Sequence, residues 1–155
     1  MNWLLLILSL PTENTTARMR AWRALKACGA AVLRDGVYVL PDNDTCRKTL
    51  AAIAADVQAN GGTAHLLDAQ HDDSFLLLFD RSTEFQALMA DIQQSHAQLT
   101  VDTAEATIKG VRKLRKTFNA LVEIDFFPSD AQPQTRKALE ELERLAQRAL
   151  STDEP

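Results

Sequence analysis

Five cations fall within eight residues of this chain, Lys109-Gly110-Val111-Arg112-Lys113-Leu114-Arg115-Lys116, with no acid among them. At 100° per residue, Lys109, Arg112, Lys113 and Lys116 share one face of a helix, with Arg115 to one side. Such a face can neutralise phosphates, which sets affinity and register without reading bases. A second basic group lies nearer the N-terminus, where Arg18, Arg20, Arg23 and Lys26 surround Met19 and Trp22. An indole among cations can stack on a base while its neighbours hold phosphate oxygens. Each group also has a plainer reading. Later helices would cover Met19 and Trp22, and the Lys109–Lys116 group would be a solvated charge face. The chain carries a net charge of −4 at pH 7. Any affinity for nucleic acid must therefore come from local patches working against a general repulsion.

Other chemistry lacks its usual residues. The sequence has no Gly-rich phosphate loop, no GxSxG and no HExxH. His65, His71 and His96 fall on an expected strand, loop and helix, and no spacing joins them into a ligand set. No acid–base pair stands out among the carboxylates. The two cysteines, Cys28 and Cys46, form no CxxC. They read as buried free thiols of a cytoplasmic protein. The expectation is a non-enzyme with no metal and no cofactor.

The elements that must position the two basic groups can be read from pattern. The apolar run Trp3–Leu8 is far shorter than the ~20 residues of a membrane span and reads as a central strand covered on both faces. Pro11 ends it. Thr12, Asn14 or Thr15 caps a helix from about Thr15 to Cys28, with Gly29 at a left-handed C-cap. On this helix Ala17, Ala21, Ala24, Leu25 and Cys28 face inward. Asp35-Gly36 between Ala30–Arg34 and Val37–Leu40 reads as a type I′ hairpin. Asp42-Asn43-Asp44 caps a second helix, Thr45–Asn60, with the stripe Cys46, Leu50, Ile53 and Val57. Thr63–Ala69 is a fourth strand. The order βαββαβ is the ferredoxin-like pattern.

Beyond it, Phe75–Phe79 reads as helical or irregular. Helices follow over Thr83–Gln98, Thr103–Val122 and Gln134–Leu150, and residues 151–155 are expected to fray. Asp125 is a candidate partner for an arginine of the first helix. The fold class is α+β. Residues 1–70 form the ferredoxin-like domain, and residues 71–155 form a helical extension of about three helices packed on it.

Three stretches carry a resemblance: WLLLILSLPTENTTARMRAWRALKACGAAVLRDGVYVLP at Trp3–Pro41, LFDRST at Leu78–Thr83 and IDFFP at Ile124–Pro128. They resemble the N-terminal region of ChrB proteins, bacterial regulators of chromate resistance, over nearly the whole chain. ChrB proteins carry a further C-terminal domain, so the expectation is a truncated or a stand-alone version. The opening is similar, more weakly, to the ferredoxin-like domain of PaaX-type repressors and to ferredoxin-like endoribonucleases of CRISPR systems. Those nucleases keep an aspartate at the end of the first strand to hold a divalent metal. Here the strand ends Leu8-Ser9-Leu10-Pro11, and Glu13 is the nearest carboxylate in sequence.

The resemblance implies a cytoplasmic, chromate-responsive transcriptional regulator whose partner is the promoter of a chromate-resistance operon. It would act as a homodimer, away from membranes. Arg18, Arg20, Arg23 and Lys26 would then bind phosphate or an oxyanion. Lys109, Arg112, Lys113 and Lys116 would form a second phosphate strip, and Met19 and Trp22 a partner or helix-packing surface. Chromate, a tetrahedral dianion, is a candidate ligand because guanidinium forks suit oxyanions. The competing readings are a metal-dependent nuclease of the CRISPR type and a non-catalytic dimerisation module.

Overall fold

In the computed structural model, which describes residues 1–152, the chain begins with β1 (Asn2–Ser9), α1 (Thr15–Ala27), β2 (Ala31–Arg34), β3 (Val37–Pro41), α2 (Asp44–Ala59) and β4 (Thr63–Gln70). A 3₁₀ segment (Asp73–Phe79) follows, then α3 (Ser82–Ala97), α4 (Ala104–Ile124) and α5 (Ala131–Thr152). The fold is α+β. Contacts divide the chain into two units that meet between Phe79 and Asp80. The first unit thus runs past residue 70 and takes in the 3₁₀ segment.

The first unit is the ferredoxin-like βαββαβ arrangement, an antiparallel sheet in the order β2-β3-β1-β4. β1 is central, as its unbroken apolar run requires. Alternation along β1 sends Leu4 and Leu6 to one face and Trp3, Leu5 and Ile7 to the other. The Leu4 face is the helical one. Asp68, directly opposite Leu4, is bonded by Arg47 of α2. Leu4, Leu6, Leu40 and Leu50 are fully buried, each contributing roughly 1.5–3 kcal/mol. On the other face Trp3 stacks on Phe79 at 5.6 Å and meets the edge of Phe75 at 5.4 Å. Coverage of that face is incomplete, because Ile7 is 38% exposed. The expectation of a strand covered on both faces therefore holds at Trp3, Leu4 and Leu6 only.

The hairpin is not type I′. Gly36 has φ +79°, but no non-glycine residue has positive φ among the described residues, so Asp35 does not. A register shift between Val32 and Arg34 absorbs the mismatch instead. Gly36 is needed twice over. Its φ suits glycine, and a Cβ there would lie 2.7 Å from the Leu8 carbonyl oxygen. In exchange, Leu8 N–H donates to the Gly36 carbonyl at 2.8 Å.

Both helices of the sheet layer start on an asparagine. Asn14 Oδ1 accepts from Ala17 N–H at 3.2 Å, and Asn43 Oδ1 from Cys46 N–H at 2.8 Å. Asn14 Nδ2 also donates to the Asn60 carbonyl at 3.3 Å, fixing the start of α1 against the end of α2. Gly29 takes the left-handed C-cap with φ +79°. Cys46, Leu50, Ile53 and Val57 are the buried residues of α2.

The second unit is a three-helix bundle around Phe85, Leu88, Ile92, Val111, Phe118, Leu139 and Leu142. Phe85 and Phe118 meet edge to face at 6.2 Å. Within this unit two of the stretches quoted above touch. Arg81 Nε donates to the Ile124 carbonyl at 3.3 Å, closing the end of α4. The Asp125 carboxylate accepts from Gln132 Nε2 at 3.0 Å, so its partner is an amide and not a guanidinium. α5 begins at Ala131 rather than at Gln134. Pro133 is tolerated in its first turn because the N–H groups there have no intrahelical acceptor. The buried residues of α5 are Thr135, Leu139, Leu142 and Ala146, and Leu145 and Ala149 are half-buried. Ser151 and Thr152 remain helical, and the rest of the segment expected to fray lies outside the described residues.

Candidate nucleic-acid interface

α1 is amphipathic by residue size. Ala17, Ala21 and Leu25 are buried, and Arg18, Trp22 and Lys26, four residues apart, form a ridge on the other side. Trp22 is 49% exposed and Met19 42%, so both contribute surface. The Lys26 ammonium lies over the indole, 5.0 Å from its centroid. Arg20 points elsewhere. Its Nε and Nη2 donate to the Asp56 carboxylate of α2 at 2.9 and 3.2 Å. That fork raises the pKa of the guanidinium through hydrogen bonding and charge and neutralises it locally. Arg23 is exposed beside the ridge. Of the four α1 cations, Arg18 and Lys26 therefore flank Trp22, while Arg20 is tied to α2.

One end of this ridge borders a cleft that the sequence did not announce. It has a volume of about 640 Å³, and Arg18, Met19 and Trp22 of α1 line it together with Asp35, Gly36 and Tyr38 of the hairpin. The available signal was topological. In a βαββ unit both the start of α1 and the β2–β3 turn lie near the end of β1. By itself the Asp-Gly pair signals only a turn.

α4 places its cations as its periodicity predicts. Ala104, Val111 and Phe118 recur every seven residues on the buried side. Lys109 reaches Glu105 at only 3.9 Å, and both side chains are mostly in solvent, a pairing of little energetic weight. Arg115 is a structural residue here, because its Nη2 donates to Glu143 of α5 at 2.6 Å. Arg112, Lys113 and Lys116 are exposed and make no ion pair among the described residues. Arg112, Arg115, Lys116 and Asn119 border a shallow depression of about 480 Å³. The two basic faces thus belong to different units.

The remaining reactive groups stand apart from both faces. His71 Nε2 lies 3.2 Å from Ser74 Oγ, and the His71 ring tilts against Phe75. His65 and His96 are exposed. Both cysteines are free. Burial raises the pKa of each thiol, and the Cys28 thiol donates to the Leu25 carbonyl at 3.2 Å. Among the described residues no group of three His, Cys, Asp or Glu side chains could hold a metal ion, and no helix is long and apolar enough to cross a membrane.

Residues 18–151 match the family model described as Protein ChrB, N-terminal. The chain is also 34% identical over 158 residues to Protein ChrB of Cupriavidus metallidurans CH34, an alignment covering 99% of this chain and 49% of the relative. The chain spans about half the length of that curated relative. No solved structure matches.

Proposed function

The chain belongs to the ChrB N-terminal family of chromate resistance, and from that membership we propose that it is the DNA-contacting and dimerising portion of a chromate-responsive transcriptional regulator, cytoplasmic and without catalytic activity. The observation that carries this reading is the outer face of α4. Arg112, Lys113 and Lys116 stand in solvent with no acidic partner among the described residues, in a chain whose net charge is −4. A stability role does not call for such a face, whereas phosphate contact does. Lys109 extends the strip by one turn. Arg18, Arg23 and Lys26 on α1 supply a second set of contacts on the other unit. Homodimerisation is part of the same reading. Ile7 and Leu67 leave exposed apolar surface on the sheet face away from the helices. The nuclease alternative rests on fold likeness alone, since Leu8-Ser9-Leu10-Pro11 supplies no carboxylate.

The test is binding to the promoter DNA upstream of its own gene, with and without chromate. The reading expects tighter binding to that DNA than to unrelated duplex of equal length, and weaker binding when chromate is added. Equal affinity for both duplexes would contradict promoter recognition. Indifference to chromate would place sensing outside this half of the family's length.

A further inference from the structure

We propose that the cleft between α1 and the β2–β3 hairpin binds one nucleotide, a planar heteroaromatic base carrying a phosphate. This goes beyond promoter binding, because a duplex keeps its bases stacked and would leave the cleft empty. Four features of the cleft select that chemistry. Trp22 presents a half-exposed indole for stacking, with the Lys26 ammonium over the ring. Arg18 lines the same cleft and, unlike Arg20, has no carboxylate partner among the described residues. It is a free fork for a phosphate. Asp35 also lines the cleft without an ion pair among the described residues, so its oxygens are available to an exocyclic amino group. Tyr38 supplies a hydroxyl donor for a ring nitrogen or carbonyl. Burial and the Asp35 charge both raise its pKa, so it remains protonated.

The volume, about 640 Å³, lies within the range of small-molecule sites. Gly36, without a side chain, lets the hairpin tip lie against the Leu8 carbonyl. Base, amino group and phosphate thus find a π surface, an acceptor and a cation on one wall or the other. Two sources offer this chemistry: a free nucleotide, or an unpaired base in a single strand.

Calorimetric titration of the full chain with AMP, GMP, CMP and UMP tests the proposal. A C-only pentanucleotide, whose bases carry the exocyclic amino group, distinguishes the sources, and inorganic phosphate serves as the control. Tryptophan emission is followed in parallel, and its quenching by an added probe reports Trp22 because Trp3 is buried out of the probe's reach. The expected result is saturable binding of at least one of these base-bearing probes, with quenching. Trp22→Ala should weaken it by about 5- to 100-fold, the usual weight of one stacked base. Tyr38→Phe removes only the hydroxyl and should weaken binding by about 2- to 10-fold with an unchanged melting curve, which covers the case of a misfolded Trp22 variant. Binding of the pentanucleotide alone assigns the cleft to unpaired bases, and binding of a monophosphate assigns it to free nucleotides. The proposal is overturned if inorganic phosphate binds as tightly as every nucleotide, if Trp22→Ala binds as well as the parent, or if no probe binds. Alanine at Lys109, Arg112, Lys113 and Lys116 should leave this titration unchanged, so its outcome does not depend on the α4 strip.

Discussion

The basic faces of α1 and α4 look alike in sequence and differ in structure. Each carries four cations within two or three turns. On α1 the charges are partly engaged: Arg20 is forked onto Asp56, and Lys26 sits over Trp22. On α4, Arg115 to one side is bonded to Glu143 and Lys109 has an acidic neighbour at the limit of an ion pair, while Arg112, Lys113 and Lys116 have none among the described residues. The difference teaches that a count of cations on a helix does not measure what a polyanion can reach. Neighbouring elements decide it. α1 lies beside α2, which offers Asp56, and beside a hairpin that turns its ridge into a cleft wall. Among the described residues no acidic side chain pairs with Arg112, Lys113 or Lys116 of α4.

The largest expected effect separates the two tryptophans that frame α1 and the sheet. Trp3→Ala should destabilise the first unit by about 3–5 kcal/mol, because Trp3 is fully buried against Phe75 and Phe79. Trp22→Ala should change stability by no more than roughly 0.5 kcal/mol. Urea denaturation of both variants checks this, and equal losses would mean that the α1 ridge is packing and not surface.

A smaller gain is expected at Gly110, amid the α4 strip. A Cβ there meets nothing within 4 Å, so Gly110→Ala should stabilise the second unit by about 0.5–1 kcal/mol through helix propensity alone. Thermal melting should rise while DNA affinity stays constant. A fall in affinity would show that α4 must bend to bind.

Smaller still is the release of Arg20. Asp56→Ala removes a pair whose side chains are 50% and 40% exposed, so solvent screening leaves stability little changed. It should also make α1 more like α4, steepening the salt dependence of DNA binding by about one phosphate contact. An unchanged slope would remove Arg20 from the interface altogether.

The smallest effect concerns the thiols. Burial raises the pKa of Cys28 and of Cys46, so the folded state favours the neutral form. That contribution to stability is complete below the unfolded thiol pKa and is lost as pH rises through the folded value. Thiolate absorbance of the native protein should therefore appear at higher pH than in the urea-unfolded chain. Coincident titrations would contradict the buried placement.

Periodicity made most of the fold legible. The stripe Cys46, Leu50, Ile53 and Val57 is a local signal that the structure keeps, and the structure selects Asn14 among Thr12, Asn14 and Thr15, and Asn43 within Asp42-Asn43-Asp44, as the caps. The turn type was not legible. Asp35-Gly36 favours type I′ by itself, but the carbonyl of Leu8, from another strand, fixes how Gly36 must sit. α5 begins three residues before the expected Gln134, because Pro133 reads as the residue leading into the helix and is harmless in its first turn. Both basic groups were visible as composition. The Arg20–Asp56 fork was not, since its partners lie on different helices whose relative rotation no local pattern encodes. For the same reason the sequence showed Trp22 and Tyr38 separately and gave no sign of the cleft between them.

The central claim is that the α4 strip meets DNA phosphates. The direct measurement is the slope of log affinity against log salt for promoter DNA, compared between the parent chain and the variant with alanine at Lys109, Arg112, Lys113 and Lys116. Four lost phosphate contacts should make the slope shallower by about 3.6. Parallel lines, with the variant binding as steeply as the parent, would contradict the account.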